Sequence, residues 1–388
     1  MNERKVGVLT FHRAANYGAV LQAYALQKCL ATLGFSPSLI DYEPERRNRC
    51  AHTTSQRRRH DRLCRMLSLS FIRNTIVNKT RTRLCQNKQA RLGDICSSFI
   101  DRHTTVAPGP IRSNNKWKIE GSYHALITGS DQVWNTRWSD LDPVYFLNVD
   151  CCKARRIAYA PSLGGLAIPQ NLKHQVRDCL SAYHALSVRE ESSLAELRAC
   201  TNRSVSIVPD PVFLIDPPLF KGSADEVSRD LPYILVYRLS QSLRQGAEFK
   251  RIVRSAEAEL GLRVVTISPE APDITTHSKD ILPEPENFAQ LINGATLVIT
   301  NSFHGLALSL IHSTPFYACP RDAHGGRQDT RLCDLLKQFD MKHRFISSVN
   351  EFKESESKRD SFDWAAVEEK RLSLKNKGIK YLTQSLSS

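Results

Sequence analysis

The sequence predicts an α/β protein built from two consecutive β/α units with a cleft between them. Three observations carry this expectation. Short β-branched runs alternate with segments of helical period along most of the chain. Prolines at 209, 211, 217 and 218, followed by the polar segment KGSADEVSRD, break that alternation near its middle. The length, 388 residues, suits two domains that each bury a core.

Taken in order, Val6 to Phe11 reads as a buried strand, Ala19 to Leu33 as a helix stopped by Gly34, and Ser38 to Tyr42 as the next strand. The turn between strand and helix, HRAANYGA, holds only Gly18. A dinucleotide fingerprint needs three glycines there, so NAD and FAD are disfavoured. Asn16, Tyr17 and Gly18 remain candidates to present backbone N–H groups and a phenol to a ligand. Asp41 reads as a solvated strand end.

Residues 44–105 are strongly basic and predict two or three helices. From Arg46 to Arg91 there are fourteen Lys or Arg residues and one acidic residue, Asp61, within a chain whose net charge is +14. Leu63, Met66, Leu67, Leu69, Phe71, Ile72, Ile76 and Val77 alternate there with Arg62, Arg65, Arg73 and Lys79. The pattern fits a helix lying on an anionic bilayer and equally one packed on its own domain. A solvated basic face is the plainest reading, and no nucleic-acid recognition motif accompanies the charge.

Ala125 to Thr128 predicts a strand running into Gly129-Ser130-Asp131-Gln132-Val133-Trp134-Asn135. Asp131 is either a helix N-cap or a general base, and Trp134 is a candidate wall for a sugar face, with Gln132 beside it. Arg156 to Ala160 is a further strand, a helix follows over 170–181, and Leu186 to Val188 ends at Arg189. That guanidinium either grips a carboxylate or phosphate, or pairs with Glu190 or Glu191. Val205 to Val208 and PDPVFLIDPP close the first unit. The second begins with strand Tyr233 to Arg238, helix Gln245 to Leu260, strand Arg263 to Ile267 and helix Glu286 to Ile292.

The central stretch is TLVITNSFHGLALSLIHSTPFYAC, Thr296 to Cys319, which reads as strand, tight turn, helix, strand. In open α/β sheets ligands bind at the carboxyl ends of strands, where the following helix aims its unpaired N–H groups. His304 sits in that turn, and imidazole there can donate a proton or bind an anion. A turn-capping histidine is the bland alternative. The tail from about residue 360 is helical in pattern and is expected to pack back across the cleft.

Apolar residues make up 41% and charged residues 24%, ordinary for a globular protein, and no run approaches the ~20 residues of a membrane span. The N-terminus lacks an apolar leader segment, so a cytoplasmic protein is expected. Eleven cysteines without a CxxC pair predict mostly reduced thiols, and no Cys/His cluster has zinc spacing. Neither metal nor cofactor is expected.

Seven segments, TFHRAANYGAVLQAYALQ, ITGSDQVWN, YAPSLGG, LSVREESS, VPDPVFLI, ITNSFHGLALSL and RQDTRLCDLL, occur in order from residue 9 to about 336. Together they resemble the polysaccharide pyruvyl transferase family. The resemblance implies two Rossmann-like domains in a GT-B-like arrangement: residues 1–222 with the basic insertion, 223–345, and a helical tail over 346–388. It also implies transfer of the enolpyruvyl group of phosphoenolpyruvate onto two hydroxyls of a sugar in a cell-surface polysaccharide or its lipid-linked precursor, giving a ketal and phosphate. An enzyme working on such a precursor would meet the inner membrane face, which suits the basic region.

That chemistry asks for an acid at the enol carbon, groups that hold phosphate and carboxylate, and a base for the sugar hydroxyl. His304 fits the first, Arg189 with Asn301, Ser302 and Gly305 the second, and Asp131 the third. Asn16, Tyr17, Gly18, Gln132 and Trp134 are the candidate acceptor side. The best-understood branch of the family has an arginine where this chain has Ser302, which carries no charge. Arg238, Arg327 and Arg331 are the candidate replacements. The competing readings are a GT-B glycosyltransferase using a nucleotide-sugar, for which no ribose or base signature is visible, and a non-catalytic basic protein binding membrane or nucleic acid without specificity.

Overall fold

The computed structural model describes residues 4–42, 69–113, 116–136, 142–150, 153–218, 231–239, 243–269, 279–321, 330–357 and 362–387. The first unit comprises β1 (Lys5–Leu9), α1 (Tyr17–Thr32), β2 (Ser36–Ile40), α2 (Leu69–His103), β3 (Val106–Ala107), the hairpin β4 (Ile111–Ser113) and β5 (Lys116–Lys118), β6 (Ala125–Thr128) and β7 (Arg155–Ala158). After these come α3 (Lys173–Ser181), β8 (Ser187–Val188), α4 (Glu191–Arg198), β9 (Ser206–Ile207) and a 3-10 turn over Pro211–Leu214. The second unit comprises β10 (Tyr233–Tyr237), α5 (Leu243–Leu260), β11 (Arg263–Ile267), β12 (Lys279–Asp280), α6 (Pro285–Asn293), β13 (Leu297–Thr300), α7 (Phe303–Ile311), β14 (Phe316–Ala318), α8 (Thr330–Gln338) and α9 (Val349–Ser357). Helix α10 (Trp364–Ser387) follows.

Each unit carries a five-stranded parallel sheet, ordered β3-β2-β1-β6-β7 in the first and β12-β11-β10-β13-β14 in the second. Setting the β4–β5 hairpin aside, both orders are the doubly wound 3-2-1-4-5, so the protein is α/β with two Rossmann-like sheets. The strand order reverses between β1 and β6 and between β10 and β13. Ligand crevices form outside the carboxyl ends of strands at such reversals. The residues that follow β6 and β13 are Gly129-Ser130-Asp131 and Asn301-Ser302.

The central strands are apolar on both faces because helices cover both. Tyr233–Tyr237 and Leu297–Thr300 are buried throughout. The strands missed in the sequence, β3, the β4–β5 hairpin and β12, are two or three residues long, too short for an alternation to be legible.

The two units are packed together through α1. The Tyr17 ring stacks on Phe288 of α6 at 4.5 Å between centroids, and its hydroxyl donates to the Pro283 carbonyl at 2.7 Å. Helix α10 spans both. Lys370 pairs with Asp340 at 2.5 Å in the second unit, while the Tyr381 hydroxyl donates to the Ala158 carbonyl at 2.8 Å in the first.

The described part of the basic region forms one 35-residue helix, α2. Its charges near the C-terminus pair within the chain. Lys88 meets Asp280, Arg102 meets Glu284 at 2.7 Å, and His103 meets Glu286 at 2.5 Å. Residues 43–68 and the side chains of 69–84, which hold the apolar-basic pattern from Leu63 to Lys79, lie outside the described residues. No helix among the described residues is long and apolar enough to cross a membrane.

Candidate active site

The turn between β13 and α7 is built by three of the residues expected to bind the donor. The Asn301 side chain accepts from the Leu239 N–H at 2.7 Å and donates to the Leu239 carbonyl at 3.0 Å, tying the ends of β10 and β13 together. Ser302, in extended conformation, caps α7 by accepting from the Gly305 N–H at 3.4 Å. A Cβ on Gly305 would fall 2.5 Å from Thr300 Oγ1, so only glycine lets the helix start this close to the strand. His304 is therefore the second residue of a helix whose every residue is buried, and it is itself only 6% exposed.

Facing it is Asp210, held between Pro209 and Pro211. Its Oδ1 accepts from the Val212 N–H at 3.2 Å and caps the 3-10 turn. Its Oδ2 accepts from Ser130 Oγ at 3.0 Å and from Arg189 Nη1 at 2.8 Å, and lies 3.4 Å from His304 Nε2. That last approach is a charge contact without the alignment of a hydrogen bond, since Nε2 has no hydrogen-bond partner. Burial would raise the Asp210 carboxyl, but the His304 imidazole and the Arg189 guanidinium outweigh it and hold the group well below the usual carboxylate range.

Arg189 is 4% exposed and committed to acidic neighbours. Besides Asp210 it reaches Glu190 at 3.3 Å from Nε, and its guanidinium lies over the Phe303 ring at 4.2 Å. Glu190 can face it because it precedes helix α4 in extended conformation, and its carboxylate is further held by Ser162 and Ser193. Burial would lower the arginine, but Glu190, Asp210 and Asp131 keep it firmly cationic. A small cavity opens beside this cluster, lined by Arg189, Glu190, Asp210, Phe303, Arg331 and Asp334 among others.

The residues expected on the acceptor side are spread more widely. Asp131 is in the left-handed region, φ 76°, with Oδ1 accepting from the Gln132 N–H at 2.8 Å; it is a turn residue at the end of β6 and starts no regular helix. Gln132 accepts from Asn135 Nδ2 at 2.7 Å, tight against Gly164. Trp134 needs correcting. Its ring is 0% exposed, stacks on Phe146 at 5.0 Å and donates from Nε1 to the Tyr145 carbonyl at 3.0 Å, so it is a core residue with no face for a sugar. Tyr17 is likewise fully buried with its hydroxyl spent on Pro283, and burial pushes that phenol far above its ordinary range. Asn16 caps α1 by accepting from the Ala19 N–H at 3.2 Å, and Gly18 lies against His304.

Arg238 is 7% exposed and leans on α5, 5.9 Å from the Phe249 ring. Arg331, on α8, reaches the cavity beside Arg189. Arg327 lies outside the described residues.

Residues 16–323 match the family described as polysaccharide pyruvyl transferase. The chain belongs to that family. It is accordingly a transferase of polysaccharide biosynthesis. No curated protein sequence matches it. Among solved structures, UDP-GlcNAc 2-epimerase from Neisseria meningitidis bound to UDP-GlcNAc aligns with a TM-score of 0.49 at 10% identity, over 99% of both chains. The spinosyn rhamnosyltransferase SpnG aligns at 0.48 and 11%, over 99% of this chain and 100% of its own. The MnaA–UDP structure from S. aureus aligns at 0.48 and 10%, over 94% and 90%. At such identities nothing about substrate carries over.

In this transferase the residue the sequence concealed is Asp210. Its place between two prolines is accounted for locally by the cap it gives the 3-10 turn, which is why its second oxygen's role was not legible. Ser130 was equally hidden, because its partner lies 80 residues away, whereas the Arg189–Glu190 pair was one of the readings open at Arg189.

Proposed function

We propose that this pyruvyl transferase takes phosphoenolpyruvate as donor and builds a pyruvate ketal on two hydroxyls of a sugar in a cell-surface polysaccharide or its lipid-linked precursor. The observation that carries the reading is His304 Nε2: buried, without a hydrogen-bond partner, and 3.4 Å from an ionised carboxylate at a strand-order reversal. Imidazole is a general acid by type, and the Asp210 carboxylate beside Nε2 orients the ring.

The reaction proceeds in two balanced steps. His304 gives a proton to the enol methylene carbon as the first sugar hydroxyl adds to the adjacent carbon and loses its own proton to a base, for which Asp131 is the candidate. The second hydroxyl then displaces phosphate from that carbon and gives its proton to the departing phosphate, closing the ketal. Arg331 at the cavity is the cation that replaces the charge Ser302 does not carry, since Arg189 is neutralised by Asp210 and Glu190. A lipid-linked acceptor would bring the enzyme to an anionic membrane surface through its basic segment.

Isothermal calorimetry with phosphoenolpyruvate, a UDP-sugar and inorganic phosphate tests the donor. Binding of phosphoenolpyruvate that weakens in His304→Ala or Arg331→Ala is expected; binding of the UDP-sugar alone would overturn the pyruvyl donor.

A further inference from the structure

His304 belongs to the second unit, yet its ring lies against Gly18 and Asp210 of the first. Gly18 is the second residue of α1. A Cβ built on Gly18 would lie 1.9 Å from His304 Nδ1, 2.2 Å from Cγ and 2.6 Å from Cε1. No real atom can sit there while the imidazole stays. On the opposite side Nε2 meets Asp210 at 3.4 Å. The start of α1 cannot easily withdraw, because Tyr17, the preceding residue, is pinned to Pro283, Phe288 and Tyr237 of the second unit.

We propose that Gly18 is a positioning residue for His304: its missing side chain is the slot that seats the imidazole against Asp210. The slot exists only while the two units are packed together, so the proton donor is assembled by docking of one unit on the other. The proposal rests on the reading of His304 as the acid. It departs from the expectation that Gly18 touches the acceptor. A methyl group at position 18 displaces the imidazole from the slot, since even Cγ would lie 2.2 Å away, and so breaks its approach to Asp210.

The test is a cycle of four full-length proteins: wild type, Gly18→Ala, His304→Ala and the double variant. Each is followed by thermal melting and by ¹H–¹³C spectra of histidine-labelled protein, in which His304 is assigned by its loss in His304→Ala. In the His304→Ala background, Gly18→Ala should leave Tm unchanged or raise it by about 1–2 °C, because alanine is the better helix former and nothing occupies the slot. In the intact background it should lower Tm or move the His304 resonance by more than a linewidth, with the other histidines still. An equal fall of Tm in both backgrounds, an unmoved His304 resonance with unchanged Tm, or a double variant that does not fold would each overturn the proposal. Turnover retained by His304→Ala would instead remove the acid role and leave the seating result standing, so the two failures are distinguishable.

Discussion

Asp210 Oδ2 and Arg189 Nη1 meet at 2.8 Å with neither residue more than 4% exposed. This pair joins the strand end at β8 to the proline turn that faces His304, and it leaves no room for an uncompensated charge. Removing one partner from a buried pair costs on the order of 3–5 kcal/mol. Arg189→Ala is therefore expected to lower unfolding free energy in urea by that amount. Arg189→Lys should lose part of it, since an ammonium cannot serve two carboxylates and a ring face together. Unchanged urea midpoints in both variants would show the pair to be energetically idle.

The depressed Asp210 carboxyl sets the direction of acid sensitivity. A group whose pKa is lower folded than unfolded stabilises the native state above its unfolded value, about 3.9, and that contribution fades as pH falls toward its folded value. Stability should thus drop below about pH 4 in wild type. In Asp210→Asn, which can still cap Val212, the drop should be shallower from a lower starting point. Urea midpoints across pH 2 to 6 give the two slopes, and parallel slopes would assign the acid sensitivity to other carboxyls.

His304→Ala should lower turnover by ~10²–10⁴-fold if the imidazole is the general acid. Phosphate release from phosphoenolpyruvate reads this directly. Loss within a few-fold would reduce His304 to a helix residue.

Trp134→Ala is expected to cost about 3–5 kcal/mol, as a fully buried aromatic removed to alanine does. Trp134→Phe should recover much of that through the Phe146 stack while forgoing the bond to Tyr145. A stable Trp134→Ala with impaired turnover would return the ring to the acceptor site.

The contacts of Arg102 with Glu284 and the more buried Glu286 bridge the two units, Arg102 itself being half exposed. Such pairs contribute at most about 1 kcal/mol and are screened by salt. Arg102→Ala should move Tm only slightly at low salt and less at 0.5 M. A large shift would mean that α2 governs how the units dock.

The period of the apolar residues carried the fold far. β6 and β11 lie where the β-branched runs put them, and β13 begins within a residue of its expected start, because a strand covered on both faces must be continuously apolar. His304 was legible for the same reason: the change from strand to helix period at Asn301–Gly305 marks a carboxyl edge, where ligands bind. What remained hidden depends on contacts between distant residues. No local pattern reveals that Asp210 faces His304 across 94 positions, that Trp134 turns inward onto Phe146, or that Gly18 exists to make room for an imidazole. The sequence by itself determined two successive β/α units and the loops that rim their strands, since periodicity and turn chemistry act over a few residues. Only the tertiary structure decided which of those loops meet, because burying a charge requires a partner and the chain brings that partner from another unit.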